Sequence, residues 1–173
     1  FTDQQQPDED AWLCCVFDVH DLDPGREYAY AFSSPHGQTD RVPLRLGLQA
    51  DATRLRIAFG SCYKDYANRD LRIFDAIVRA APDLFLMLGD TCYSDEDDRK
   101  SEATFMQAHL RNRNNDALRR LIATVPTLGI WDDHDFGPND ADSGYSEKDR
   151  SLRCFRRMWA QTSYGTPDCP GIF

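Results

Sequence analysis

The sequence lacks the features that mark several large classes of protein. No apolar run approaches the ~18–20 residues that a helix needs to cross a bilayer. Basic residues are few, since 20 Lys and Arg stand against 29 Asp and Glu, for a formal net charge of −9. Such a chain is not expected to carry a large nucleic-acid footprint. The first ten residues are polar and acidic and do not resemble a signal peptide, which leaves the compartment open.

The spacing of cysteine and histidine excludes common zinc and redox motifs. The six cysteines include no CxxC pair, so most are predicted to be small buried side chains. His20 and His36 lie in polar segments and are predicted to be solvated. His109 is predicted to be a surface or packing residue of a helix. Cys62 and His134 remain as candidates for chemistry, because each follows a predicted strand.

Residues 1–50 are predicted to be part of a β-sandwich domain. Residues 11–17 and 28–32 alternate as strands do, and Pro24-Gly25 supplies turn chemistry between them. The turn followed by Tyr28-x-Tyr30 resembles the tyrosine-corner region of fibronectin III/Ig-like sandwiches. A sandwich needs about seven strands, and only a few fit here, so the domain is predicted to be incomplete. A hairpin that packs on the main domain is the alternative.

Residues 54–173 are predicted to form an α/β domain (α+β overall), with a partial sheet flanked by helices. The continuously apolar run Leu84–Leu88 predicts a strand buried on both faces of a parallel sheet. The predicted order is a strand through Phe59, a helix over 68–81, the strand 84–88, one or two helices over 101–123, a strand over 127–131, a helix from the cap Ser146-x-x-Asp149 to about residue 163, and a strand beginning near Pro170.

All three predicted strands of this domain's sheet end in side chains of metal-ligand type. The β-α-β order makes the first two strands parallel, so their carboxyl ends share one edge of the sheet. Ligands of open α/β sheets bind at that edge. We therefore expect one shared site, formed by Cys62, then Asp90 and Tyr93, then Asp132, Asp133 and His134.

The residue types predict a site for two metal ions. Asp90 follows a glycine at a buried strand end, and a carboxylate there can bridge two cations ~3.5–4 Å apart. Cys62 and Tyr93 would be anionic ligands of a trivalent or soft metal such as iron, and Asp133 would bind a harder cation. His134 could donate a proton to a leaving oxygen or hydrogen-bond a phosphoryl group.

These motifs together resemble one known family. Gly60-Ser61-Cys62, Gly89-Asp90-x-x-Tyr93 and Trp131-Asp132-Asp133-His134-Asp135 are similar to motifs of the alkaline phosphatase D (PhoD-like) metallophosphoesterases, of the calcineurin-like superfamily. The resemblance implies hydrolysis of phosphomonoesters and phosphodiesters with Fe³⁺ and a divalent cation, Ca²⁺ foremost, with Mn²⁺ or Mg²⁺ as alternatives. It implies that Cys62, Asp90 and Tyr93 bind iron, that Asp90 and Asp133 bind the second metal, and that His134 is the catalytic residue at the phosphate.

The resemblance also implies what surrounds this segment. Members of the family are exported to the periplasm, cell wall or exterior, and they have a second half with a Gly-Asp-x-His-type motif that supplies further metal ligands. No such motif follows residue 131 here. We therefore expect residues 54–173 to be the N-terminal half of the catalytic domain, in an internal fragment that is weakly active or inactive alone.

Two alternatives use the same residues differently. The acidic run 132–142 could bind calcium in a non-catalytic α/β protein, although it lacks EF-hand spacing. A hydrolase with Cys62 as nucleophile and His134 as base is weaker, because Ser-Cys-Tyr is not a phosphate-cradling loop and no arginine follows at a suitable spacing. Three other aspartates of the run, Asp135, Asp140 and Asp142, are predicted to be capping or turn residues. Asp132 is predicted to have a supporting role at the site.

Overall fold

A three-stranded parallel sheet and the helices around it form the larger part of the structure, a computed structural model that describes residues 3–5, 14–23, 26–46, 51–64, 71–166, 168–170 and 172. This combination confirms the predicted α/β (α+β overall) fold class. In chain order the elements are β1 (Tyr28–Tyr30), β2 (Ser33–Ser34), β3 (Gly37–Gln38), β4 (Val42–Leu44), β5 (Ile57–Gly60), α1 (Arg72–Ala80), β6 (Leu84–Leu88), a 3₁₀ turn (Asp98–Lys100), α2 (Glu102–Arg113), α3 (Asp116–Thr124), β7 (Thr127–Ile130), α4 (Asp133–Phe136), α5 (Lys148–Met158), β8 (Gly165–Thr166) and β9 (Cys169–Pro170).

The order of the parallel sheet is β5-β6-β7, with β6 in the centre. Phe59 pairs with Leu86, which pairs in turn with Leu128 on the other side. Since all three strands run in the same direction, their carboxyl ends open onto one edge. The predicted β-α-β order is thus confirmed, with α1 as the crossover helix between β5 and β6.

One face of this sheet is packed and the other is open. Phe85 and Met87 of β6 are buried in a core with Phe74 of α1 and with Leu118 and Leu121 of α3. The opposite face carries apolar side chains that are more than a third exposed, among them Phe59, Leu88 and Leu128. The expectation that β6 is buried on both faces is therefore wrong for the described residues, because only its odd-numbered side chains meet a covering layer.

The helices between residues 71 and 158 are predicted more accurately in their number than in their first and last residues. α1 ends before Pro82, with Ala81 in the left-handed conformation, and its predicted first residues lie outside the described part of the chain. Asn115 divides the 101–123 segment into two helices by accepting the first N–H groups of α3. The predicted Ser146 cap is wrong: α5 begins at Lys148 without a side-chain cap, and it ends at Met158 rather than near residue 163.

Two short antiparallel pairs precede the sheet, β1 with β4 and β2 with β3. Residues 14–17 are not a strand, contrary to expectation, and residues 11–13 lie outside the described residues. The Tyr28 hydroxyl accepts a hydrogen bond from Asp23 N (2.9 Å), and the Tyr30 hydroxyl donates to Ala123 O at the end of α3 (2.9 Å). The incomplete sandwich and its boundary near residue 50 stay predictions. No helix among the described residues is long and apolar enough to cross a membrane.

Candidate metal centre

The backbone is strained where β5 and β6 end. Cys62 and Asp90 have φ angles of 57° and 55°, in the left-handed region that side-chain-bearing residues seldom occupy. Gly89 also has a positive φ, 91°, and a Cβ there would lie 2.6 Å from Asp132 Cβ. Glycine is thus required before Asp90 for conformational and steric reasons. Strain of this kind is found where the surrounding structure holds a functional residue in place.

Asp90, Asp133 and His134 meet at this edge of the sheet. Each offers one ligand atom, and the three atoms lie within 4.8 Å of one another. Asp90 is only 8% exposed, and its Oδ1 is buried without a hydrogen-bond partner in the part of the chain that the structure describes. Two carboxylates this close repel each other, and a buried oxygen without a partner is costly. Both features fit a bound cation, which would neutralise the repulsion and use the open oxygen.

Tyr93 and Cys62 adjoin this trio. The Tyr93 hydroxyl donates to Asp90 Oδ2 (2.9 Å), and its ring lies 4.6 Å from the His134 ring between centroids. Burial foremost, then the hydrogen bond to Asp90 and the nearby Cys62, raise the pKa of Tyr93 well above its ordinary value. Cys62 lies close enough to Tyr93 to contribute to this shift. Asp90, Tyr93, Asp133 and His134 are thus neighbours, and Cys62 lies beside Tyr93 but outside the group whose ligand atoms converge.

Asp133 is held by the loop that follows it. Its Oδ1 accepts from His134 N (2.8 Å), and its Oδ2 accepts from Asp140 N. Asp140 has a φ of 62° and is exposed, which agrees with its predicted turn role. Asp132 caps α4 by accepting from Asp133 N (2.9 Å), and this agrees with a supporting role. Asp142 accepts from Gly144 N (2.8 Å) within its own turn.

Asp135 has a larger role than the capping role predicted for it. Its side chain is completely buried, and its two oxygens accept five hydrogen bonds of 2.6–2.9 Å. The donors are the backbone N–H groups of Asp90, Thr91, Cys92 and Asp132 and the hydroxyl of Thr91. Burial raises the pKa of Asp135, and the donors oppose that shift. Because every partner donates, the carboxylate form suits this position, and it fixes the loop that carries Asp90.

The sequence indicates that Asp135 is a capping residue, but it does not indicate that Asp135 binds the loop at residues 90–92. The spacing Asp132-x-x-Asp135 is that of a capping box, and the bond from Asp132 N to Asp135 completes one. The contacts to residues 90–92 span 43 to 45 positions and have no local signature. Within the acidic run, Asp135 points inward to residues 90–92, and Asp133 offers a ligand atom beside Asp90 and His134.

The other histidines lie away from this centre. His20 and His36 are exposed, as predicted. His109 is a buried packing residue of α2, with its ring against Phe105 at 4.8 Å between centroids. The donor set at the strand ends comprises two carboxylates and an imidazole, with a phenol and a thiol adjoining. Oxygen and nitrogen ligands of this kind suit hard and first-row transition cations.

Comparison with known proteins gives two matches. A family model described as PhoD-like phosphatase matches residues 57–164, which include every predicted site residue. A solved structure titled "Structure of PhoD" superposes with a TM-score of 0.66 at 18% sequence identity, over 88% of this chain and 34% of that one. The chain thus spans about a third of the length of that protein, and the likeness shows the fold. No curated protein matches the chain.

Proposed function

Because the chain belongs to the PhoD-like phosphatase family, we propose that its strand-end site hydrolyses phosphoric esters with bound metal ions. The observation that carries the proposal is the meeting of Asp90, Asp133 and His134, whose ligand atoms lie within 4.8 Å of one another. The buried and unpartnered Oδ1 of Asp90 supports it. Phosphomonoesters and phosphodiesters are the proposed substrates, and export from the cytoplasm is proposed with them.

The residues present divide into ligands of two kinds. Cys62 and Tyr93 would bind Fe³⁺ together with Asp90, because thiolate and phenolate are anionic ligands that suit a trivalent ion. Asp133 would bind a divalent cation such as Ca²⁺, Mn²⁺ or Mg²⁺, and Asp90 has a second oxygen with which to share it. When bound, such ions polarise a phosphoryl oxygen and lower the pKa of a water molecule.

His134 is the residue proposed to move a proton. In hydrolysis the oxygen of water bonds to phosphorus, the bond from phosphorus to the leaving oxygen breaks, and that oxygen takes a proton from the imidazolium form of His134. The proton released by the attacking water returns the imidazole to its starting state. The contact between the rings of Tyr93 and His134 supports this role, since it restricts the orientation of the imidazole.

The test is metal-dependent hydrolysis of p-nitrophenyl phosphate and bis-p-nitrophenyl phosphate with iron and calcium present. We expect Asp90→Asn to lower kcat/KM at least 100-fold, because it removes a charged ligand from the shared position. Asp116→Asn is the matched control, since its carboxylate is 86% exposed on α3, and it should retain full activity. Hydrolysis that survives both chelation and Asp90→Asn would overturn the proposal.

A further inference from the structure

We propose that Asn112, on α2, is a positioning residue that fixes where the Tyr93 phenol lies at the metal centre. This inference rests on the proposed function, in which Tyr93 is a ligand. Asn112 is 9% exposed, in the last turn of a helix that carries none of the site motifs. Its side-chain Oδ1 accepts from Tyr93 N (3.3 Å), and its Nδ2 donates to Tyr93 O (3.3 Å). One amide group therefore holds both backbone polar groups of Tyr93.

The orientation of this amide is determined by its surroundings. Nδ2 also donates to Ala108 O (2.8 Å), one turn earlier on α2. If the oxygen and nitrogen of the amide were exchanged, Nδ2 would face the Tyr93 N–H, and Oδ1 would face two carbonyl oxygens. All three hydrogen bonds would then be lost. Only asparagine at this position supplies one acceptor and two donors of this length.

The loop before Tyr93 is held at both of its ends. Asp135 accepts the N–H groups of residues 90–92, and Asn112 then binds the backbone of Tyr93. The hydroxyl of Tyr63, next to Cys62 in sequence, lies 3.1 Å from Thr91 O and 3.3 Å from Asn112 O. Thus α2 is linked to the ends of both β5 and β6.

The position of the Tyr93 phenol depends on this clamp. Residues 89–95 form no helix or strand, and the backbone hydrogen bonds of Tyr93 in the described structure are those to Asn112. The ring must turn back so that its hydroxyl reaches Asp90, three residues earlier. A loop released at Tyr93 would leave that hydroxyl free to move away from Asp90 and from the ring of His134.

The experiment compares Asn112→Ala with Asn115→Ala in the full chain. Asn115 caps α3 by accepting hydrogen bonds from Ala117 N and Leu118 N, and it is hydrogen-bonded to none of the predicted site residues, all of which the structure describes. It therefore reports on lost stability alone. Two readouts are followed: the nuclear Overhauser effect between the Tyr93 and His134 rings in metal-free protein, and the visible tyrosinate band together with the dissociation constant on titration with Fe³⁺.

We expect Asn112→Ala to lose the ring-to-ring effect, weaken the tyrosinate band and weaken Fe³⁺ binding 10- to 100-fold, as is typical when a residue that orients a ligand is removed. Asn115→Ala should change neither readout while lowering the melting temperature. An Asn112→Ala protein that is merely less stable, with both readouts intact, would overturn the inference. If wild-type protein shows no tyrosinate band and no metal-dependent hydrolysis, the proposed function fails, and the metal-free ring contact still decides the role of Asn112.

Discussion

Single aspartates in this chain take different roles according to which of their oxygens already accept hydrogen bonds. Asp135 is fully buried and accepts five, so it has no room for another partner and acts on the loop around it. Oδ2 of Asp90 accepts a hydrogen bond from the Tyr93 hydroxyl, whereas Oδ1 is buried and has no hydrogen-bond partner among the described residues. A buried open acceptor is costly unless something binds it. The contrast favours Asp90, rather than Asp135, for the proposed role of metal ligand.

His109 is a buried basic residue that affects the stability of the fold. Burial foremost, and then the charge of Arg113, lower the pKa of His109 to about 3 from its ordinary 6.5. Its Nε2 has no partner among the described residues, so a proton there would gain nothing. Arg113 is half-buried, with its guanidinium 4.2 Å from the Trp159 ring centroid, and it donates a hydrogen bond to Met158 O (2.6 Å).

The pH dependence of stability follows from His109. Between pH 3 and 6.5 the unfolded chain binds a proton at this histidine and the folded protein does not, so the free energy of unfolding falls as pH falls below about 6.5. Its share of the slope approaches about 1.4 kcal/mol per pH unit. Urea unfolding from pH 7 to 4 should show a shallower slope in His109→Gln. His36→Gln, at an exposed turn, should keep the wild-type slope, and equal slopes in all three proteins would contradict the assignment.

At the scale of secondary-structure elements, the parallel sheet is the part of the fold that the sequence predicts best. β6 matches its apolar run residue for residue, and Pro82 correctly limits α1. These signals are local, because the strand and the helix stop are written into neighbouring residues. The carboxyl-end rule then brings the ends of β5, β6 and β7 to one edge, and this is why the sequence predicts a candidate site there.

The remaining elements depend on contacts that no local pattern contains. α4 lies within the acidic run 132–142, because Asp132 and Asp135 complete a capping box only when the chain turns there. α5 starts without its predicted cap and is held instead by its buried face and by ion pairs of Arg153 and Arg157 to Glu102. Asp135 and Asn112 act across 19 or more positions. Sequence periodicity carries no information at that separation.

The junction of β6 with its loop offers a test at the scale of elements. Gly89→Ala combines an unfavourable φ of 91° with a Cβ 2.6 Å from that of Asp132. Gly37→Ala has the unfavourable φ, 149°, with nothing within 4 Å of the added carbon. We expect the Gly37 variant to lose about 1 kcal/mol of unfolding free energy, as conformational strain alone would cost.

Gly89→Ala should lose at least about 2 kcal/mol, since the loop and the start of α4 must also move apart. It should bind Mn²⁺ at least 10-fold more weakly, because the same movement separates Asp90 from Asp133. Urea unfolding and calorimetric titration measure the two effects. Equal losses for the two variants, with metal affinity unchanged in Gly89→Ala, would show that the close approach of Gly89 to Asp132 does not shape the site.

At the scale of the whole molecule, the open face of the parallel sheet is an exposed apolar surface. Ile57, Phe59, Leu88, Leu128 and Ile130 are between 38% and 70% exposed. The register aligns Phe59 with Leu128 through Leu86, and Leu88 with Ile130. Parallel sheets are otherwise found covered on both faces, and a contiguous apolar patch of this kind promotes association.

The 173-residue chain should therefore bind the dye ANS and associate as its concentration rises. Phe59→Ser should reduce both effects without loss of stability, because the Phe59 side chain is 70% exposed and contributes little to the core. Ile73→Ser is the matched control, an apolar residue 61% exposed on α1 and away from the sheet face. Sedimentation velocity and dye fluorescence measure the outcome. Equal effects of the two substitutions would mean that general surface hydrophobicity, rather than the aligned face of β5, β6 and β7, drives association.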